Sequence, residues 1–241
     1  MKLEIIGFNL ESCVVAQQAG ADRIELCASP AEGGTTPSQG FIKAARSMLS
    51  IELYAMIRPR GGHFVYDEEE FAMMKSDIAV CKSMGCDGIV TGVLDRQGNI
   101  DWDRNCYLVE WAYPMGVTFH RAFDAARDPF EALRIIKEAG FERILTSGQM
   151  PTAAQGAPLI ASIVAHAEGD IIIMPGSGVR SENLPDLHQQ TRAEEFHSSA
   201  RRYKEAPDVF GPEWMKEEMK YTVTDPEEVS RMAALLRDME E

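Results

Sequence analysis

At 241 residues, with 45% hydrophobic and 26% charged side chains, the chain has the size and balance of one globular α/β domain with a sizeable core. Its formal charge of −14, from 24 basic and 38 acidic residues, argues against nucleic acid or an anionic membrane as the main partner. No run approaches the ~20 apolar residues of a membrane span, Met1-Lys2-Leu3-Glu4 lacks a signal-peptide core, and five scattered cysteines suit a reducing cytoplasm better than a disulfide framework.

In chain order, short apolar runs at 3–6, 23–27, 53–57, 88–93, 117–120, 143–146, 171–174 and 194–197 read as strands. Between them 11–19, 41–49, 68–84, 102–112, 129–139 and 156–166 carry helical periodicity. Three helices run into Gly20-Ala21-Asp22, Gly85-Cys86-Asp87 and Gly140-Phe141-Glu142, where a glycine takes the left-handed geometry that ends a helix. Eight strands alternating with helices predict a single (β/α)₈ TIM barrel over 1–241, with a doubly wound open sheet as the competing arrangement. Residues 201–222, with Pro207, Gly211 and Pro212 among charges, read as a variable loop with a short helix near 213–220. Thr224-Asp225-Pro226-Glu227 then caps a closing helix at about 225–240.

Barrel sites are built at the C-terminal ends of strands, and several ends here carry chemistry. Strand alternation places Glu4, Glu25, Cys27, Glu195 and His197 on inward faces. Buried carboxylates need partners, and Arg58, Arg60 and Arg121 at the strand ends are the natural ones; the network would be either catalytic or purely structural. His120, followed by Arg121 and Asp124, is a candidate general acid or base that Asp124 or a glutamate would orient, with His197 and Glu25 as further candidates. Gly176-Ser177-Gly178 after strand seven, Ser198 after strand eight and Ser147 after strand six sit where barrels often bind phosphate. The turn-rich loop 29–38 is a lid or rim for the mouth. Cys13, Cys81, Cys86 and Cys106 fall on or just past helices and read as core packing. Cys27, at a strand end, is the candidate Cu(I) ligand, with Met56 on the neighbouring strand as a second soft donor.

The segments 20–27, 32–38, 57–62, 90–94, 117–124, 144–148 and 196–200 together resemble the CutC family of copper homeostasis proteins, over residues 1 to about 200. The resemblance implies a (β/α)₈ barrel, a cytoplasmic role in copper handling and Cu(I) binding by two strand-end cysteines. Cys27 matches one of these; the position of the other is Ile6, leaving one thiolate.

Three functions follow as expectations. The first is a copper-handling, Cu(I)-binding protein. The second is an enzyme using acid–base chemistry on a small anionic or phosphorylated metabolite held by Arg58, Arg60 and Arg121. The third is a non-catalytic sensor or scaffold. A homo-oligomer, with Trp102, Trp111 and Trp214 as possible interface residues in a dimer, is also expected.

Overall fold

A computed structural model describes residues 1–205 and 220–240; the short helix expected near 213–220 and Trp214 lie largely or wholly outside them. Eight parallel strands alternate with helices: β1 (Lys2–Gly7), α1 (Leu10–Gln18), β2 (Arg23–Leu26), α2 (Gln39–Met48), β3 (Glu52–Met56), α3 (Glu68–Ser83), β4 (Gly88–Thr91), α4 (Trp102–Ala112), β5 (Gly116–Phe119), α5 (Pro129–Ala139), β6 (Arg143–Thr146), α6 (Ala153–Ala167), β7 (Ile172–Pro175), α7 (Leu184–Thr191) and β8 (Glu195–Ser198). The ladders run β7-β6-β5-β4-β3-β2-β1-β8. β7 lies beside β8 without a ladder among the described residues, so the (β/α)₈ barrel is nearly closed.

The expected loop 201–222 is corrected at both ends: β9 (Arg201–Glu205) pairs antiparallel with β10 (Lys220–Thr224), leading into the closing helix α8 (Pro226–Glu240). Alternating Arg202, Tyr203, Tyr221 and Val223 suit a hairpin; Pro and Gly between them obscured it. Among the described residues no helix is long and apolar enough to cross a membrane.

Local chemistry sets the element ends. Asn9, Ser38, Asp101 and Thr152 each accept a backbone N–H of the first helical turn, and Asp67 with Glu70 forms a capping box on α3. Strand alternation divides the barrel. Leu3, Ile5, Ile24, Leu53, Ile89, Ile144 and Phe196 point outward into the helical layer and form the main core. The inward residues are mostly polar. At ~25 cal/mol per Å², the outer layer is therefore where burial of apolar surface stabilises the fold.

The lower half of the barrel interior is an ion network. Arg23 donates to Glu4 at 2.5 Å and to Glu195 at 2.5 Å, and Arg143 donates to Glu195 at 2.6 Å and to Thr118 at 3.1 Å. The Tyr54 ring lies near both guanidiniums, 5.1 Å from Arg23 and 5.6 Å from Arg143, and its hydroxyl donates to Glu142 at 2.6 Å. Gly88 and Gly116 face that ring, and a Cβ at either would overlap Tyr54 atoms. The partners of Glu4 and Glu195 are thus Arg23 and Arg143, which correct the expectation of Arg58, Arg60 and Arg121.

Candidate functional site

Above this network the C-terminal ends of the strands open into a cleft of about 220 Å³. Glu25, Arg58, His120, Arg121 and His197 line it, and Ile6, Phe8, Met56, Phe64 and Leu145 form its apolar wall. The rim is made by Pro30 and Gly33 from the early loop and by Ser177, Gly178, Ser199 and Arg201 after β7 and β8.

Glu25 is the distinctive group. Its side chain is buried, one oxygen accepts from the Cys27 thiol at 3.6 Å, and the other oxygen has no partner. His197 Nε2 lies 3.9 Å away, while His197 Nδ1 is 2.7 Å from Glu4. Two carboxyls thus flank one imidazole, with opposite fates. Burial, reinforced by the negative charge of Glu4, pushes Glu25 up to about 7 against the pull of His197. Burial acts the same way on Glu4, but Arg23 and His197 outweigh it and hold Glu4 at about 2. Burial alone would lower His197, yet Glu25 and Glu4 raise it. Glu25 is left able to exchange a proton near neutrality beside an imidazole whose own hold on a proton is raised.

His120 caps a 3₁₀ turn (Arg121–Ala125), its Nδ1 accepting the Ala122 N–H at 3.3 Å. That bond places the ring proton on Nε2, a buried atom with no partner. Burial and then the Arg58 charge push His120 down to about 3. With Nδ1 engaged and its proton affinity held low, the neutral ring offers one N–H donor rather than a proton to exchange near neutrality. Arg58 stands beside it, the two sharing Phe64 at 4.9 Å and 4.8 Å. Its terminal nitrogens donate to the carbonyls of Glu32, Gly34 and Gly62, fixing the early loop as a rim, while its Nε has no partner.

Asp124 does not orient His120. It accepts from Arg121, Thr146 and Ser147 and holds the loop after β6. Ser147 belongs to that cluster, and Arg121 both pairs with Asp124 and lines the cleft. Arg60 turns away, paired with Glu70 and stacked over Tyr66, and it lines a separate surface hollow. Ser198 faces outward and donates to Val179. Gly176 packs on Leu145 and His197 beneath the rim. Ser177 and Gly178 reach the cleft with φ of 74° and 76°. Among the described residues their backbone N–H groups and that of Ser199 have no intramolecular acceptor. The sequence reading missed Ser199 and Arg201, which the alternation of β8 and the start of β9 bring to the rim.

The metal expectation rests on Cys27. Its thiol is fully buried, next to Gly34 and in an inner apolar cluster with Ile6, Tyr54, Met56 and Val90. Burial and the neighbouring Glu25 push the thiol well above its ordinary value. Ile6 sits in register with Glu25 on the adjacent strand, so the residues present do not make a two-thiolate Cu(I) site. Glu4, Glu25 and His197 offer three ligand atoms within 4.8 Å of one another, a donor set for a harder cation, but Glu4 and His197 spend theirs on each other and on Arg23. Of the tryptophans, Trp102 is exposed, and Trp111 packs within the chain against Phe71 and Tyr107.

Comparison with known proteins agrees with the fold. The profile of the CutC family matches residues 1–202. A CutC protein of Parabacteroides distasonis is 46% identical over 94% of this chain and 97% of its own length. The mouse copper homeostasis protein cutC homolog is 40% identical over 98% of this chain and 90% of its own. A CutC crystal structure from Streptococcus agalactiae superposes with a TM-score of 0.79 at 33% identity, covering 83% of this chain and 98% of that one. A phosphoribosylanthranilate isomerase from Thermotoga maritima, at 13% identity and a TM-score of 0.63 over 99% of both chains, shares the fold alone.

Proposed function

The chain belongs to the CutC family, and from that premise and the geometry of the barrel mouth we propose an enzyme that moves a proton on a small anionic metabolite. The observation that carries the reading is Glu25, a buried carboxyl that lines the cleft and has one oxygen without a partner, poised to exchange a proton near pH 7. In this reading Glu25 takes a proton from carbon next to a carbonyl. The neutral His120 N–H and the Arg58 Nε–H supply donors for the oxygen that gains charge, as a neutral imidazole can only where it is kept from protonating. The rim N–H groups of Ser177, Gly178 and Ser199, with Arg201 and Arg121, hold the anionic end of the substrate, whose carboxylate or phosphate matches their charge. His197 and Glu4 stand below Glu25 and set its proton affinity. The chain would work in the cytoplasm.

The test is proton exchange. The chain is incubated in D₂O with a panel of phosphorylated and carboxylated ketones and aldehydes, and loss of the C–H signal next to the carbonyl is followed by proton NMR. Exchange on at least one compound, reduced ~10²-fold or more in Glu25→Gln, supports the proposal. No exchange on any compound, or exchange indifferent to Glu25, overturns it.

A second reading is Cu(I) held at Cys27, suggested by the names of the mammalian relatives and by Met56, whose methyl and the Cys27 sulfur both flank Gly34. A single high-pKa thiol is a poor Cu(I) anchor. Anaerobic Cu(I) competition against a strong chelator, on wild type and Cys27→Ser, decides it: stoichiometric binding lost in the variant supports copper, and binding indifferent to Cys27 ends that reading.

A further inference from the structure

The helix ends α1, α3 and α5 share one turn. In each, the residue after the capping glycine donates its N–H to the carbonyl five residues back: Ala21 to Ala16 at 3.0 Å, Cys86 to Cys81 at 3.1 Å and Phe141 to Ile136 at 3.3 Å. The glycine itself donates three residues back, Gly20 to Gln17, Gly85 to Lys82 and Gly140 to Lys137. This is the Schellman arrangement, which brings the side chains of the two outer residues into contact. In α1 and α5 the contacting pairs are Ala16 with Ala21 and Ile136 with Phe141, which bury apolar surface. In α3 both positions are cysteine.

We propose that Cys81 and Cys86 are a redox-active dithiol that closes to a disulfide on exposure to a hydroperoxide. The Schellman turn, with the Cys86 N–H on the Cys81 carbonyl at 3.1 Å, brings the two side chains together at the helix end, where a bond between the sulfurs would form. Both are free thiols. Cys81 is fully enclosed and Cys86 is 7% exposed, so Cys86 is the one an oxidant reaches. The turn in front of it is open, since a Cβ on Gly85 would meet nothing within 4 Å. The reactivity is also graded: the Cys81 thiol, acting as donor, and the Arg46 guanidinium lower the Cys86 pKa, while Cys81 is raised.

The chemistry balances with the peroxide as the only co-reactant. The Cys86 thiolate attacks one peroxide oxygen, the O–O bond breaks, and Cys86 sulfenic acid and water form once the leaving hydroxide takes a proton. The Cys81 sulfur then attacks the sulfenic sulfur, its proton leaving with the displaced hydroxyl as a second water. Two thiols are oxidised to one disulfide and one hydrogen peroxide is reduced to two waters. The pair joins the end of α3 to the turn that enters β4, at the end of the barrel opposite the cleft, so it forms a site separate from Glu25 and His120.

The full chain is titrated with hydrogen peroxide, alkylated after denaturation and digested with trypsin. Lys82 lies between the two cysteines, so a Cys81–Cys86 disulfide survives digestion as a pair of cross-linked peptides, 76–82 joined to 83–96. The expected result is that this cross-link accumulates before any other cysteine is lost. In Cys81→Ser, dimedone should label Cys86; in Cys86→Ser, oxidation at Cys81 should slow at least tenfold. If Cys106 or Cys27 is oxidised while Cys81 and Cys86 both remain alkylatable, the proposal is overturned. The wild-type cross-link decides the matter even if a variant does not fold.

Discussion

Replacing Glu25 by glutamine should make the folded protein more stable, by an amount that grows with pH. In the unfolded chain this carboxyl ionises around its ordinary value of 4.5, whereas in the folded chain burial holds the proton until about pH 7. Folding therefore takes up a proton across that window, and stability falls as pH rises through it. The full penalty, above pH 7, is the gap between the two values at 1.36 kcal/mol per decade, or about 3 kcal/mol. Glutamine carries no such charge and keeps an oxygen to accept from the Cys27 thiol. His197 loses one of its two carboxylates in the variant, which trims the gain without reversing its sign. Urea unfolding of both proteins at several pH values measures the difference. It should be about 1 kcal/mol near pH 5.5 and about 3 kcal/mol near pH 8, a rise of roughly 6–12 °C in Tm for a chain of this length. A stability difference that stays flat with pH, or a glutamine variant less stable than wild type at pH 8, refutes the picture of a proton-holding Glu25. Gained stability with lost exchange activity is the trade expected of a group kept for chemistry.

Three further outcomes test the surrounding structure. Arg23→Met leaves Glu4 and Glu195 each with one cationic neighbour fewer inside the barrel and should cost about 3–5 kcal/mol in urea unfolding. Gly88→Ala drives a methyl into the Tyr54 ring and should cost about 1–3 kcal/mol, with a clearly smaller loss in a Tyr54→Leu background. The His120 ring, held neutral by burial and Arg58, should show no change in its NMR shifts between pH 5 and 8, and a titration with a midpoint near 6.5 would contradict the neutral-donor role.

The barrel was legible in the sequence because its signals are local and repeated. Each strand is an apolar run, and three of the helix ends carry a glycine that the backbone uses with positive φ, as at Gly20, Gly85 and Gly140. The inward set of Glu4, Glu25 and His197 followed from alternation alone. The guanidiniums that pair Glu4 and Glu195 did not, because Arg23 and Arg143 each stand at the first position of a strand, where a charge reads as a flank facing water. Only barrel closure turns those positions into the packed centre, since it brings β2, β6 and β8 to one axis. Arg60 misled for the opposite reason. It follows a strand end by a few residues, and the loop that carries it folds back onto Glu70 at the start of α3. His120 was visible as a residue but not as a chemical state, because its neutrality depends on Arg58 and Phe64 from another strand and loop.

Within the proposed function, the division of charge inside the barrel favours one carboxyl for the proton transfer. Glu4, Glu25 and Glu195 all project inward from neighbouring strands, and all three are buried. Arg23 is bonded to Glu4 and to Glu195, and Arg143 to Glu195 again, so those two are held ionised and serve as fixed charges. The two guanidiniums lie low in the barrel, at the level of Tyr54 and Glu195, and neither bonds to Glu25 one layer higher. A structural ion network would be more stable with every carboxylate paired. Leaving the uppermost one without a guanidinium, at the wall of the cleft and facing only an imidazole and the Cys27 thiol, costs about 3 kcal/mol at neutral pH. A group whose cost rises with pH at the mouth of a barrel is what proton transfer needs and what a purely structural network would avoid.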